Sequence, residues 1–183
     1  MFYLRILFII LIIYSNKISA NEIKCGLSYD LMEIIATIER HHERAIGYPY
    51  LISFNESIDY KNILRGYEFI SIDSRTLDCK NRNTCVKILN FLDFKGIKNL
   101  DLGAFQVNYV YHKFDKNEYF ILESSYQRAC TYLESLIQKH GYSWQTIARY
   151  HSSTPYFNLK YQEEIAKVIF ANNQIKKEKY FEN

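Results

Sequence analysis

The sequence predicts a mainly α-helical, α+β domain that carries a small β-like insert. Three segments, near residues 31, 129 and 161, repeat apolar side chains at intervals of three and four positions. Residues 47–73 instead contain many aromatic side chains, glycine and proline, and a short stretch in which polar and apolar residues alternate. The first pattern is typical of helices with one buried face, and the second is typical of short strands and ordered loops.

The first predicted helix runs from Ser28 to about Arg44. Ser28 is a good N-cap, because its hydroxyl can accept a hydrogen bond from a free backbone N–H of the first turn. Gly47 and Pro49 end the segment, since neither residue continues a helix well. We expect residues 47–58 to form an ordered loop or a short strand. The apolar face of the helix is formed by Leu31, Ile34, Ile35 and Ile38.

An insert of about residues 59–98 follows. Glu68 to Asp73 alternates polar and apolar side chains, which predicts a short strand. Residues 78–84 are typical of a turn, and residues 86–94 predict a short helix that Gly96 ends. The inward side chains of that helix are expected to be Val86, Leu89 and either Phe91 or Leu92.

The second half of the chain is predicted to be helical. We expect a helix over 103–112, then a long helix that begins at Ser124 or Ser125 and ends at Gly141. Ser143 is a candidate cap for a short helix, and Thr154-Pro155 predicts the start of the last one. The buried faces of the long and last helices are expected to contain Ala129, Tyr132, Leu133, Leu136 and Ile137, and Tyr161, Ile165, Val168 and Ile169.

Residues 1–20 are predicted to be a secretory signal peptide. Arg5 supplies a positive charge, an apolar run follows from Ile6 to Tyr14, and Ser19-Ala20 precedes the expected cleavage site. Removing these 20 of 183 residues leaves 163, which is enough for one domain, predicted over 21–170. Residues 171–183 are expected to form a charged, frayed tail.

The charge of the exported chain argues against a nucleic-acid partner. The full chain has 23 Lys and Arg against 20 Asp and Glu, and the signal peptide removes Arg5 and Lys17. The remaining net charge of about +1 does not provide the clearly basic face that nucleic acids require.

All four cysteines follow the predicted signal peptide, at Cys25, Cys79, Cys85 and Cys130. An even number in an exported chain predicts two disulfides, for which three pairings are possible. Cys79 and Cys85 are close enough in sequence to close a small loop, and this pairing leaves Cys25 with Cys130. The Cys-x5-Cys spacing does not fit a usual zinc site.

Glu39 is a candidate general acid. It lies four positions after Ile35, at the edge of the apolar face, where partial burial would raise the pKa of its carboxyl. Glu33 is about 240° around the helix and is expected to face water. Glu43 lies one turn after Glu39 on the same face, so geometry alone leaves it as a rival.

His41 and His42 are adjacent and would point to different faces of the predicted helix. Because no convincing third ligand accompanies them, we expect surface or cleft histidines and no metal site.

Three segments, in order along the chain, resemble motifs of one family. Ile34-Ile-Ala-Thr-Ile-Glu39 is similar to a helix end of the pattern Ala-x-x-x-Glu-Ser. The octapeptide Asp101-Leu-Gly-Ala-Phe-Gln-Val-Asn108 resembles Asp-Leu-Gly-Leu-Met-Gln-Ile-Asn. Residues 148–155, Ala-Arg-Tyr-His-Ser-Ser-Thr-Pro, resemble Ala-Tyr-Asn-Ala-Gly-Pro. These are the motifs of the soluble lytic transglycosylases, lysozyme-like enzymes that cut peptidoglycan, and the resemblance covers about residues 25–169.

The resemblance implies a lysozyme-like fold and roles for particular residues. It aligns Glu39, and not Glu43, with the sole essential acid/base of the family. Tyr150 is expected to hydrogen-bond that carboxyl, and His151 to replace a sugar-contacting asparagine. The substrate-binding residues that the resemblance implies are Gly103, Gln106, Asn108, Tyr150 and His151.

Two departures from the family pattern concern the support of the acid. Arg40 stands where the family usually has a serine that orients the glutamate, so that task is either dispensed with or done by another group. Ala104 and Phe105 replace the usual leucine and methionine, which changes the shape of the expected apolar lining. A purely structural alternative for the octapeptide is a helix N-terminus with Asp101 as its cap.

The resemblance implies a periplasmic lytic transglycosylase that cleaves the bond between N-acetylmuramic acid and N-acetylglucosamine and leaves 1,6-anhydro ends. It implies no metal and no cofactor. We expect a monomer that binds peptidoglycan glycan strands, and an envelope-spanning secretion or assembly complex is a candidate partner. The alternatives are a hydrolytic muramidase, for which no second carboxylate stands out beyond Asp59 and Asp101, and a catalytically idle peptidoglycan-binding scaffold protein.

Overall fold

The computed structural model describes residues 25–181. About half of the chain is helical, and a small antiparallel sheet accompanies the helices. The predicted signal peptide over 1–20 lies outside the described residues. The helices are α1 (Tyr29–Glu39), α2 (Tyr60–Ile63), α3 (Arg82–Phe94), α4 (Leu122–His140), α5 (Trp144–Ala148) and α6 (Pro155–Phe181). The strands are β1 (Leu51–Phe54), β2 (Ile70–Ser71), β3 (Thr76–Asp78), β4 (Leu100–Leu102) and β5 (Val107–Asn108). The predicted α+β class is therefore confirmed.

Helix α1 begins as predicted and ends earlier than predicted. The hydroxyl of Ser28 accepts the Leu31 N–H at 3.3 Å, which is the expected N-cap. Arg40 is extended, so the helix ends at Glu39 and not near Arg44. Glu43 is therefore an exposed loop residue and does not share a helical face with Glu39. This correction removes Glu43 as a rival on geometric grounds.

The loop after α1 contacts the insert through an ion pair and a close histidine–carboxylate contact. The Arg44 guanidinium donates to the buried Asp78 carboxylate at 2.8 Å, and Nε2 of His41 lies 3.4 Å from Asp73 Oδ2. The expectation that His41 and His42 occupy different faces of a helix is wrong, because both lie in this loop. Both contacts follow the extended residue Arg40, where the chain leaves the helix.

The five strands are ordered β2-β3-β1-β4-β5, and all pairs are antiparallel. The strands predicted within 47–58 and 68–73 are present as β1 and β2. Side chains alternate between the faces of a strand, so one face carries the buried residues Ile52, Leu77 and Leu102. The opposite face is polar.

The prediction of a helix over 103–112 is wrong, because β4 and β5 form a hairpin there. The turn contains Gly103 at φ +74° and Gln106 at φ +46°, a left-handed conformation that a continuous helix cannot contain. An added Cβ at Gly103 would overlap the carbonyl oxygen of Tyr119, so only glycine fits there. Asp101 is consequently a strand residue and not a helix cap.

The later helices follow the predicted order. Helix α4 begins at Leu122, before Ser124, without a side-chain cap, and it ends at Gly141 as predicted. Ser143 caps α5, and α6 begins at Pro155. Helix α6 continues to Phe181 and so includes most of the charged tail expected over 171–183. Helix α6 packs against α1 and α5, which brings its buried face to the end of α1.

Both disulfides have the expected pairing. Cys25–Cys130 links the segment before α1 to α4, and Cys79–Cys85 links the end of β3 to α3. Two disulfides in one small domain indicate an oxidising, exported environment. Within residues 25–181, no helix combines the length and the apolar character that crossing a bilayer requires.

Candidate active site

Glu39 lies at the C-terminal end of α1 and lines a cavity of about 1010 Å³, here called the cleft. The buried side chains of Ile35 and Ala36 lie one turn earlier on α1, so the helix directs position 39 toward the interior. The Glu39 side chain is only 11% exposed. A carboxyl at this position has little contact with water but still reaches the cleft.

The Tyr161 hydroxyl donates a hydrogen bond to Glu39 Oε1 at 2.7 Å. Tyr161 is buried on α6, which packs against α1, so the contact joins two helices far apart in the sequence. This hydrogen bond orients the Glu39 carboxyl, whereas Arg40 is exposed at the end of α1. Sequence reasoning had placed Tyr161 on a packing face and missed this role.

The expected hydrogen bond from Tyr150 to Glu39 is wrong. The Tyr150 hydroxyl instead donates to the backbone carbonyl of Phe105 at 2.7 Å. Phe105 is buried in the core and packs against Tyr126, so it does not form the expected apolar lining of the cleft. Tyr150 itself lines the cleft and fixes the β4–β5 turn to the end of α5.

Burial raises the pKa of Glu39 to about 8, and the nearby charge of Asp101 acts in the same direction. The hydrogen bond from Tyr161 acts in the opposite direction, because it stabilises the ionised carboxylate. Burial is the larger effect. Glu39 is therefore mostly protonated at neutral pH, which is the state that a general acid requires.

The polar face of the sheet contributes a row of side chains to the cleft. Ser53 on β1 is paired with Thr76 on β3 and with Asp101 on β4, and Asp101 is paired with Asn108 on β5. All four residues line the cleft. The row follows directly from the antiparallel register, because paired residues on neighbouring strands point to the same face.

Asp101 is a second carboxylate of the cleft, which was only a weak candidate from the sequence. Its Oδ2 accepts from Asn55 at 2.8 Å, and its Oδ1 accepts from Asn108 at 2.8 Å. Burial raises the pKa of Asp101, and the two amide hydrogen bonds oppose that shift. The other candidate, Asp59, caps α2 through the Asn62 N–H.

The predicted residues of the octapeptide occupy different environments. Gln106 and Asn108 line the cleft, whereas Gly103 packs against the backbone of Tyr119 and has a structural role. Gln106 donates to the Gly103 carbonyl at 2.8 Å, so part of its amide supports the turn. Asn108 positions Asp101 and also accepts the Val110 N–H at 3.0 Å.

His151, which was predicted to replace a sugar-contacting asparagine, lines the cleft beside Glu39. Its ring stacks on Tyr161 with centroids 5.1 Å apart, and its Nδ1 is 4.0 Å from Glu39 Oε1. Burial lowers the pKa of His151, although Asp101 acts against that shift. The neutral imidazole is therefore the main form at neutral pH, and it retains one donor and one acceptor for a ligand.

Sequence reasoning also missed several lining residues. The His112 ring packs at a tilt against the Tyr132 ring, with centroids 4.2 Å apart, and burial lowers the pKa of His112. Tyr111, 79% exposed, and Phe157 offer aromatic faces to the cleft, and Arg75 adds a positive charge. No local sequence motif marks these residues. They lie in separate loops and at the start of a helix, and only the fold brings them together.

The described residues contain no credible metal site. The one cluster with suitable donor atoms is Cys25, Cys130 and Glu134, in which the two sulfurs form a disulfide. Disulfide sulfurs are not thiolate ligands, so this cluster does not suit a metal ion.

These contacts define a cleft that holds the buried carboxyl of Glu39 together with the carboxyl groups of Asp101 and Asp73. Comparison of this chain with protein-family models, with curated proteins and with solved structures found no match.

Proposed function

We propose that this protein is an exported peptidoglycan lytic transglycosylase that acts as a monomer in the periplasm. The observation that carries the proposal is the buried carboxyl of Glu39, whose pKa is raised to about 8 and whose Oε1 accepts from Tyr161. A carboxyl that stays protonated near neutral pH can donate its proton to a glycosidic oxygen. Polar side chains and exposed aromatic rings in the same cleft suit a glycan.

The first step is protonation of the oxygen that links N-acetylmuramic acid to N-acetylglucosamine. Glu39 gives its proton to this oxygen, the bond from the oxygen to C1 of the muramic residue breaks, and the glucosamine end leaves as an alcohol. The 2-acetamido oxygen of the muramic residue stabilises the positive charge that develops at C1. Because Glu39 becomes a carboxylate in this step, the Tyr161 hydrogen bond strengthens as the reaction proceeds.

The second step returns the proton to Glu39. The C6 hydroxyl of the muramic residue loses its proton to the Glu39 carboxylate, and its oxygen forms the new bond to C1. The product is a 1,6-anhydro ring, and no water is consumed. One residue therefore acts first as acid and then as base, and the step needs no metal or cofactor.

A hydrolytic muramidase is a second candidate, and Asp101 is the observation that favours it. Retaining and inverting glycosidases use two carboxyl groups, one of which is a protonated acid. Asp101 lies in the cleft, is held by Asn55 and Asn108, and is close enough to Glu39 for its charge to raise the pKa of Glu39. Ionised Asp101 could stabilise the cation or activate water.

Mass spectrometry of digested sacculi tests the proposal. The protein is expected to release muropeptides with 1,6-anhydro ends, which are lighter by one water than hydrolysis products. Glu39→Gln is expected to abolish release, whereas Glu33→Gln, on the exposed face of the same helix, is the matched control and is expected to remain active. Reducing ends without anhydro products would identify a muramidase. Equal inertness of wild type and Glu39→Gln, with retained binding to sacculi, would identify a scaffold protein.

Asp101→Asn separates the two enzymatic routes further. If the acetamido group of the substrate supplies most of the stabilisation, the substitution is expected to lower kcat by roughly tenfold, as for one supporting electrostatic contact. If Asp101 is the nucleophile or base of a hydrolase, the loss is expected to be on the order of a thousandfold or more. Asp59→Asn is the matched control, because it replaces a carboxylate at the N-cap of α2 that does not line the cleft.

A further inference from the structure

Arg75 lies in the turn between β2 and β3, within the insert, and its side chain lines the cleft. Its Nε donates to the Phe54 carbonyl at 2.9 Å, and its Nη2 donates to Asn55 Oδ1 at 3.3 Å. The amide of Asn55 in turn donates to Asp101. The guanidinium is thus fixed to strand β1 in a defined orientation, although the residue as a whole is exposed to the cleft.

The positive charge of Arg75 has no carboxylate within 4.0 Å among the side chains that the structure describes, those of residues 25–174. Asp73, in the same turn, accepts from the backbone N–H groups of Arg75 and Thr76 at 2.6 Å and faces His41. These groups hold the pKa of Asp73 below its usual value, although burial alone would raise it. The Asp73 side chain is therefore already engaged and does not form an ion pair with the guanidinium.

Two hydrogen bonds occupy only part of the donor set of a guanidinium, which has five N–H groups arranged as a fork. The remaining donors of Arg75 can therefore bind a ligand in the cleft. A fixed guanidinium without an acidic partner is suited to a carboxylate, which it can bind with two parallel hydrogen bonds. Arg75 is also close to two other cleft residues, because its positive charge lowers the pKa values of both Asp101 and His151.

We propose that Arg75 is a specificity-determining residue that binds a carboxylate carried on the lactyl arm of the muramic residue. The inference rests on the proposed action on peptidoglycan and deepens it. In peptide-free strands this carboxylate is that of the lactyl group itself. In peptide-bearing strands the lactyl carboxyl is an amide, and the carboxylates belong to the stem peptide. Chitin oligosaccharides have the same N-acetylated sugar backbone but no lactyl arm and no carboxylate.

Binding measurements in the inactive Glu39→Gln background test the proposal. The ligands are peptide-free glycan strands, peptide-bearing strands and a chitin oligosaccharide of similar length. Adding Arg75→Gln is expected to weaken binding of at least one carboxylate-bearing ligand by roughly 10- to 100-fold, the usual value of a charge-assisted hydrogen bond. Binding of the chitin oligosaccharide is expected to change less than about twofold. The ligand that loses affinity identifies which carboxylate Arg75 binds.

Arg65→Gln is the matched control, because Arg65 is exposed in the same insert and does not line the cleft. It removes the same charge and is expected to leave all three affinities unchanged. Arg75→Lys keeps the charge without the fork and is expected to restore part of the lost affinity. Kinetics on sacculi with Glu39 intact are expected to show that Arg75→Gln raises KM more than it lowers kcat.

Equal loss of affinity for all three ligands would overturn the proposal, because it would show that Arg75 only supports the shape of the cleft. Unchanged affinity for both carboxylate-bearing ligands would overturn it as well. These outcomes differ from a failure of the proposed function, in which the wild-type protein with Glu39 intact would release no anhydro products from sacculi. A wild type that cuts sacculi while Arg75→Gln binds every ligand normally would refute the role of Arg75 alone.

Discussion

Replacing Glu39 with glutamine should change how the stability of the protein depends on pH. Burial raises the pKa of Glu39 from 4.5 to about 8. A group whose folded pKa lies above its unfolded pKa contributes stability that is fully present below pH 4.5 and is lost as pH rises toward 8. At 1.36 kcal/mol per pKa unit, the full loss is about 5 kcal/mol, and about 3 kcal/mol has been lost at pH 7.

Glutamine keeps the shape of the side chain and an acceptor for Tyr161, but it cannot ionise. Glu39→Gln should therefore unfold with nearly the same free energy as the wild type near pH 4.5. It should be more stable by several kcal/mol at pH 8. Urea denaturation of both proteins at intervals between pH 4.5 and 8.5 measures this difference directly, and slopes from other groups largely cancel in it. Glu33→Gln is the matched control for removing an exposed carboxylate from the same helix.

A difference in unfolding free energy that stays constant across this pH range would refute the reasoning. It would mean that Glu39 ionises in the folded protein as easily as in water, so that the carboxyl is not held neutral for proton donation.

Three further predictions concern the hydrogen bond to Glu39, the glycine of the β4–β5 turn and one disulfide. Tyr161→Phe removes a hydroxyl that stabilises the ionised form of Glu39, so it should raise the pKa of Glu39 by about 1 to 2 and lower kcat by roughly tenfold. In a pH–rate profile, the fall in rate on the basic side should then move to higher pH. Gly103→Ala should destabilise the fold by about 2 kcal/mol or more, measured by urea denaturation, because an added Cβ overlaps a backbone carbonyl oxygen. Replacing Cys25 and Cys130 with serine should cost on the order of 5 kcal/mol in unfolding free energy, since that disulfide closes a loop with a sequence separation of 105.

Much of the helical part of the fold was predictable from the sequence. The apolar periodicity located α1, α4 and α6, and short-range capping signals located several of their ends. Ser28, Ser143 and Gly141 act as predicted because capping depends on neighbours a few residues away. The end of α1 at Glu39 was not predictable in this way. The loop that follows it is held by contacts of Arg44 and His41 with carboxylates of the insert, which are distant in sequence.

Residues of the candidate site that lie in local sequence motifs were predictable. Residues that only the tertiary fold brings to the cleft were not. Glu39 and His151 were found because they lie in local motifs. The β4–β5 hairpin was mistaken for a helix because two such short strands leave little alternation to detect. Tyr161 was not separable from the other tyrosines, since its partner lies 122 positions away.

The cleft combines two halves of the chain with different tasks. The helical half supplies Glu39 with its neighbours Tyr161 and His151, whereas the sheet supplies the polar row that contains Asp101. The 62 positions between Glu39 and Asp101 do not separate them in space, since both line the cleft and the charge of Asp101 acts on the pKa of Glu39. The insert therefore extends the polar wall of the cleft through β3. A hydrogen-bonded path from Arg75 through Asn55 to Asp101 connects the insert to this wall, so under the proposed function a ligand bound by Arg75 would be linked to the charge beside Glu39.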